Sequence, residues 1–177
     1  MNLAGQLMIE MSTRNIRFVA QGIGENKEKF KNLVQLVYNT NPKLSMRAAW
    51  TLTIVTDKYP ELLKPYIKDL VKVLPSLPHP GAVRGILRQL SKFEIPVKVQ
   101  GRLFDFCYNM LISDDQPVSI KVFSMQILYN ISQKEPGLKS ELYQMLEDII
   151  MKGCKAGISA RARKLIKKLN CEIIMSV

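Results

Sequence analysis

The chain offers few groups able to make or break bonds. Its single histidine, His79, stands in Pro78-His79-Pro80. That is a tight turn between helices, where the ring is expected at the surface and not as a base set against a substrate. Cys107, Cys154 and Cys171 are odd in number, far apart and in no Cys-x-x-Cys pair, so neither a disulfide framework nor a zinc site is expected. Gly22-Ile-Gly24 follows no strand pattern and reads as a helix C-cap, not a phosphate loop. Asp114 and Asp115, just ahead of Pro117, read as capping carboxylates for the helix that follows. No catalytic, cofactor-binding or metal-ligating residue is assigned.

Positive charge is what the chain has in quantity: 26 Lys and Arg against 15 Asp and Glu, a formal net charge of +11. Residues 1–148 hold 19 basic and 14 acidic residues (+5), whereas residues 149–177 hold 7 and 1 (+6). The basic residues are also ordered. Pro42-Lys-Leu-Ser-Met-Arg47, Pro80-Gly-Ala-Val-Arg84, Pro117-Val-Ser-Ile-Lys121 and Gly157-Ile-Ser-Ala-Arg161 each pair a proline or glycine start with a basic residue about a turn later, five positions on in the first and four in the others, and their basic residues lie 37, 37 and 40 positions apart. On helices, Arg84, Arg88 and Lys92 form a row at i, i+4, i+8, and Arg161, Lys164 and Lys168 share a face at i, i+3, i+7. Arg47, Arg84, Arg88, Lys121, Arg161, Lys164 and Lys168 are therefore the candidate anion- or partner-binding residues. The sequence leaves two readings of them open. They line a surface open to an anionic ligand, or they are satisfied internally by carboxylates such as Asp69, Asp105 or Asp148 and by carbonyls at helix ends. For the C-terminal row a third role is a solvated cap that ends the stack.

The elements that must position these rows follow from the same period, which is that of stacked helical hairpins. First helices are expected over Glu25 to Asn39, Pro60 to Leu74, Pro96 to Ile112 and Pro136 to Met151. Second helices are expected over Pro42 to Lys58, Pro80 to Phe93, Pro117 to Ser132 and Gly157 to Asn170. A leading segment from Leu3 to Gly22, broken near Ser12, would cap the stack. The joint Lys58-Tyr-Pro60-Glu-Leu62 is echoed 76 residues later by Lys134-Glu-Pro136-Gly-Leu138. Apolar residues keep a period near 3.6, as in Val83, Ile86, Leu87, Leu90 and Phe93, or Ile158, Ala162, Leu165, Ile166 and Leu169. The helix from Pro117 is apolar around most of its circumference, which places Phe123 in a central, doubly contacted helix. No alternating strand pattern occurs, so the fold is expected to be all-α: an α-solenoid of about four hairpins with an N-terminal capping helix, in one domain over 1–177 (cap 1–24; repeats about 25–59, 60–94, 95–135 and 136–170).

The Pro/Gly-x-x-x-Arg/Lys pattern followed by small and large apolar residues resembles the second helix of HEAT repeats. Arg47-Ala-Ala-Trp50-Thr-Leu-Thr-Ile54 is also similar to the inner helix of armadillo repeats. Stretches such as Thr56-Asp-Lys-Tyr-Pro-Glu-Leu-Leu-Lys-Pro65 and Met125-Gln-Ile-Leu-Tyr-Asn-Ile-Ser-Gln-Lys-Glu-Pro136 further resemble a family of small bacterial HEAT-like proteins without established activity. Some of those relatives carry an adenylosuccinate lyase label, which does not transfer: the Ser-Ser-x-Met-Pro-x-Lys-x-Asn loop and the catalytic histidines of that enzyme are absent here. Armadillo proteins that bind basic peptides use a Trp-x-x-x-Asn array. Here Trp50 has Ile54 at the Asn position, Asn130 has Gln126 at the Trp position, and a chain of +11 is a poor host for basic peptides. Trp50 is read first as filler between repeats and second as a recognition aromatic. The HEAT resemblance also implies an Asp six residues before each inner-helix basic residue. The positions are Asn41, Pro78, Asp115 and Lys155, so only Asp115 fits.

Helical repeats serve many tasks. The reading the sequence favours is a non-enzymatic binding module that docks an acidic protein partner. Nucleic-acid binding without sequence preference along a basic inner surface comes second, because base-reading motifs are missing. An enzyme comes third, of the repeat-type DNA glycosylase class, for which Trp50 and Asp57 share a helical face at i, i+7. The N-terminus has no basic leader or cleavage site and no apolar run approaches the ~20 residues needed to span a bilayer. A cytoplasmic protein is the expectation.

Overall fold

Proline and asparagine punctuate the helices. The computed structural model describes residues 2–174, and the first helix, α1 (Leu3–Ile9), starts where the Asn2 side chain accepts the Gly5 N–H at 3.2 Å. The expected break at Ser12 is present. Its hydroxyl accepts the Asn15 N–H at 3.0 Å and opens α2 (Thr13–Ile23), satisfying one of the donors that every helix start leaves free. Buried Asn15 ties the two together, donating from Nδ2 to the carbonyls of Gln6 and Glu10 and accepting from Gln6 Nε2. Gly24 ends α2 at φ 52°, a backbone angle that favours glycine. The C-cap reading of Gly22-Ile-Gly24 therefore holds.

α3 (Lys27–Val37) and α4 (Pro42–Lys58) are capped by Asn26 and Asn41, with Pro42 at the first turn of α4, where its missing N–H costs nothing. The expected helix from Pro60 to Leu74 does not form as one piece. Pro60, Pro65 and Pro75 confine that stretch to 3₁₀ turns at Pro60–Leu62, Lys64–Tyr66 and Leu74–Ser76 around the short α5 (Ile67–Val73). An interior proline removes a helical hydrogen bond and clashes with the preceding turn. α6 (Pro80–Leu90) follows, then α7 (Val97–Ile112), α8 (Val118–Ser132), α9 (Pro136–Met151) and α10 (Ala156–Ile174). No strand occurs among the described residues, so the all-α expectation is met.

The chain forms two compact units, one up to Val99 and one from Gln100 on. In the first, α4 is the hub, packing on α1, α2, α3 and α6. Its small and β-branched residues Ser45, Ala48, Ala49, Thr51, Thr53, Val55 and Thr56 are buried, together with Leu52. The buried hydroxyls bond to nearby carbonyls, Ser45 to Val37 at 2.7 Å and Thr56 to Leu52 at 2.8 Å, which removes the cost of burying them. At the start of α6 a Cβ on Gly81 would come within 2.8 Å of Met46 Cγ, so any larger residue there would have to displace the Met46 side chain.

In the second unit α8, α9 and α10 pack on one another around Ile120, Met125, Leu128, Leu142, Leu146, Ile158, Ala162, Leu165 and Leu169. Phe123 is a correction. It is half-buried and lies outside this core, because on a helix apolar around most of its circumference the buried arc is chosen by its neighbours and not by hydrophobicity.

Candidate docking surface

The basic residues that the sequence groups together have different fates. Arg47 is an internal strut: Nη1 donates to the Leu7 carbonyl at 2.8 Å, pinning α1 to α4. Arg161 plays a similar part between α10 and α8, reaching the Gln126 side chain, which itself donates to Asn130 Oδ1 at 2.6 Å. Arg88 forks onto Asp57 with Nη1 and Nη2 at 3.2 and 2.9 Å. Lys92 Nζ and Gln89 Nε2 reach the same carboxylate at 2.5 and 3.0 Å, and Gln89 also donates to the Thr53 carbonyl at 3.2 Å. Arg84 and Lys164 are exposed, Lys121 is half-buried, and Lys168 is exposed with its ammonium 5.5 Å from the centre of the Tyr129 ring.

The internal carboxylate is thus Asp57, not the expected Asp69, Asp105 or Asp148. Asp69 pairs with Lys72 on its own helix at 3.5 Å. Asp57 lies 31 to 35 residues from its three donors, about one repeat away, a relation that depends on how α4 and α6 stack. Burial alone would raise the Asp57 carboxyl, but the bonds from Arg88, Lys92 and Gln89 and the Arg88 charge outweigh it and hold it at about 2 against an ordinary 3.8. A carboxylate so acidic and so fully hydrogen-bonded is poorly suited to take a proton near neutral pH.

The other candidates for chemistry are likewise committed. His79 is half-buried, not exposed, and caps α6 by accepting the Gly81 N–H on Nδ1 at 2.9 Å. Asp114 and Asp115 do not cap α8. Its first turn is led by Pro117, with no side-chain cap bond, because proline's fixed φ already sets the start. No group of three or more His, Cys, Asp and Glu able to hold a metal occurs among the described residues. Cys107 is buried, and desolvation pushes its thiol up to about 12.

On the exposed side of the first unit, α4 lies between α2 and α6 and presents half-exposed Trp50 and Ile54 one turn apart, followed by Asp57, Lys58 and Tyr59. α2 contributes Arg14, Arg17 and Gln21; α6 contributes Arg84, Arg88 and Lys92. An apolar row is therefore flanked by two basic rows. Between α2 and α4 the surface opens into a groove of about 630 Å³ lined by Arg17, Ala20, Gln21, Ile54, Val55 and Tyr59 among others. Lys58 Nζ sits 5.0 Å from the centre of the Tyr59 ring. Of the residues that the sequence singles out, Arg84, Arg88, Lys92 and Trp50 belong to the helices of this face, whereas Arg17, Ile54, Lys58 and Tyr59 are not among its candidates. The i, i+3 pair Arg14 and Arg17 in the capping segment was the available signal.

The second unit carries a separate groove of about 480 Å³ lined by Tyr129, Lys164, Lys167, Lys168, Cys171 and Glu172. Glu172 is engaged by the Tyr129 hydroxyl at 2.5 Å and by Lys139 at 3.2 Å. Burial and that carboxylate push the Tyr129 hydroxyl up to about 12. Among the described residues no carboxylate lies within ion-pair distance of Lys164 or Lys167.

Among the described residues no helix is long and apolar enough to cross a membrane. No curated protein and no solved structure matches the chain. The HEAT repeat domain family matches it over residues 3–169, nearly its whole length, in agreement with the helical hairpins and the Pro/Gly-led second helices. The chain belongs to the HEAT repeat domain family.

Proposed function

We propose that the protein is a non-enzymatic, cytoplasmic docking module whose contact face is the exposed side of α2, α4 and α6, and that its partner is a protein with an acidic surface or segment. The observation that carries this reading is the row of Trp50 and Ile54 set between Arg14 and Arg17 on one side and Arg84, Arg88 and Lys92 on the other. An apolar centre with a charged rim is the pattern of a protein interface. A net charge of +11 selects acidic partners and speeds their encounter. HEAT repeats commonly act as interaction scaffolds, and the three free cysteines fit a reducing compartment. The glycosylase alternative loses its support, since the carboxylate that would serve it, Asp57, is saturated by three donors.

A photo-cross-linking side chain at position 50, compared with one at exposed Lys68 on α5, tests this in the native cells. Adducts with acidic proteins from position 50, absent from position 68, are expected. Adducts from position 68 alone would refute the assigned face.

A second reading, polyanion binding, is favoured by one observation: Lys164 and Lys167 line a groove with no opposing free carboxylate. Binding of a generic single-stranded RNA by anisotropy, with a log–log salt slope of about −0.7 per phosphate neutralised, would support it. Replacing Lys164, Lys167 and Lys168 by Gln should then flatten the slope by about two units. An unchanged slope removes the reading.

A further inference from the structure

The groove between α2 and α4 has a chemistry more specific than a charged face. Its apolar wall is Ala20, Val55 and half-buried Ile54, with Tyr59 also in the lining, and half-buried Trp50 stands one turn before Ile54 on α4. Arg17 and Lys58 stand on its rim with no carboxylate within ion-pair distance among the described residues. The acid in its lining, Asp57, accepts from Arg88, Gln89 and Lys92, and exposed Glu25, next to the lining Gly24, acts on Lys58 from the rim. Arg17, Lys58, Arg88 and Lys92 against Asp57 and Glu25 leave the site at +2. An incoming carboxylate therefore meets a net positive rim, with Arg17 and Lys58 outside any ion pair among the described residues, and an acid that is already neutralised.

Resting on the docking reading above, we infer that this groove is the anchor pocket of the face. It takes one large apolar side chain, Leu, Ile or Phe, from an acidic segment whose neighbouring carboxylates fall on Arg17 and Lys58. Seating the apolar side chain removes water from the rim. That strengthens the ion pairs formed there and concentrates affinity in a single anchor ringed by weaker contacts. Affinity without the anchor is salt-sensitive and weak; affinity with it resists salt.

The test uses the full chain and two synthetic nine-residue peptides, rich in Asp and Glu, that differ only in a central Phe or Ser, titrated by fluorescence anisotropy. The Phe peptide is expected to bind at least 10-fold more tightly, and its binding to move the backbone amide NMR signals of Arg17, Ala20, Ile54 and Tyr59. Ile54→Arg should abolish the Phe advantage yet keep weak binding of both peptides. Ile54→Ser, the milder change, should shrink the advantage several-fold, with circular dichroism confirming the fold of each variant. Arg17→Glu with Lys58→Glu should weaken both peptides together. Equal affinities for the two peptides, or a Phe advantage that survives Ile54→Arg, overturns the anchor and leaves the docking face standing. Failure of both peptides to bind at low salt removes the docking reading and the anchor with it. An RNA oligonucleotide that displaces the peptide and moves the same four amides, indifferent to Ile54→Arg, would assign the groove to nucleic acid and overturn the inference.

Discussion

Asp57 is the residue on which the packing of α6 against α4 can be tested most sharply. Its carboxylate joins α4 to three side chains of α6 and its C-terminal end, and its depressed pKa makes the link readable by pH. A carboxyl at about 2 in the folded chain and 3.8 unfolded corresponds to roughly 2.4 kcal/mol by linkage. Its side chain is 39 % exposed, so solvent screening reduces the contribution to about 1 kcal/mol. Because the folded pKa is lowered, this stability is fully present above the unfolded pKa and disappears as pH falls from about 4 to about 2. Asp57→Asn should therefore cost about 1 kcal/mol at pH 7, a fall of roughly 2–4 °C in the melting temperature for a chain of this size. The difference from the unmodified protein should close through that acid window.

Urea unfolding at pH 7, 4, 3 and 2, with Asp57→Asn, Arg88→Gln and the double variant, isolates the pair from the general effect of acid on a chain so rich in cations. A difference independent of pH would show that Asp57 acts through shape and not charge. A loss above about 3 kcal/mol would show a pair buried far more deeply than its exposure allows.

Leu128→Ala, at a fully buried position of α8, should cost about 2–5 kcal/mol, whereas half-buried Phe123→Ala should cost less in the same denaturant titration; the reverse order would invalidate the face of α8 assigned to the core. With a soluble disulfide reagent at pH 8, exposed Cys171 should react rapidly and buried Cys107, its thiol raised to about 12, only on unfolding, so release of two fast equivalents with Cys171 changed to Ser would contradict that burial. Trp50, half-exposed on α4, should be quenched by acrylamide to an extent between buried and free indole, and full protection would place it between repeats and out of reach of a partner.

Much of the fold is written locally. Pro42, Asn41, Ser12 and Gly24 set helix ends through capping and φ restriction, physics that spans four or five residues and can be read from them. The period of 37 to 40 residues and the 3.6-residue stripes identify stacked hairpins for the same reason. The failures are also physical. Three prolines divide the stretch after Lys58, where apolar periodicity alone suggests one helix. Phe123 is indistinguishable from its apolar neighbours until other helices choose which arc to cover. The basic residues are the clearest case: spacing makes Arg47, Arg84, Lys121 and Arg161 equivalent, yet one holds a carbonyl of α1, one is open, one is half-buried and one reaches Gln126. Each fate depends on what the neighbouring helix offers across the stack, tens of residues away in sequence. The sequence alone thus determined the helical-repeat class and the positive field, both sums of local terms. Only the tertiary structure decided which cations are already spent on the fold, and so that the open groove lies between α2 and α4.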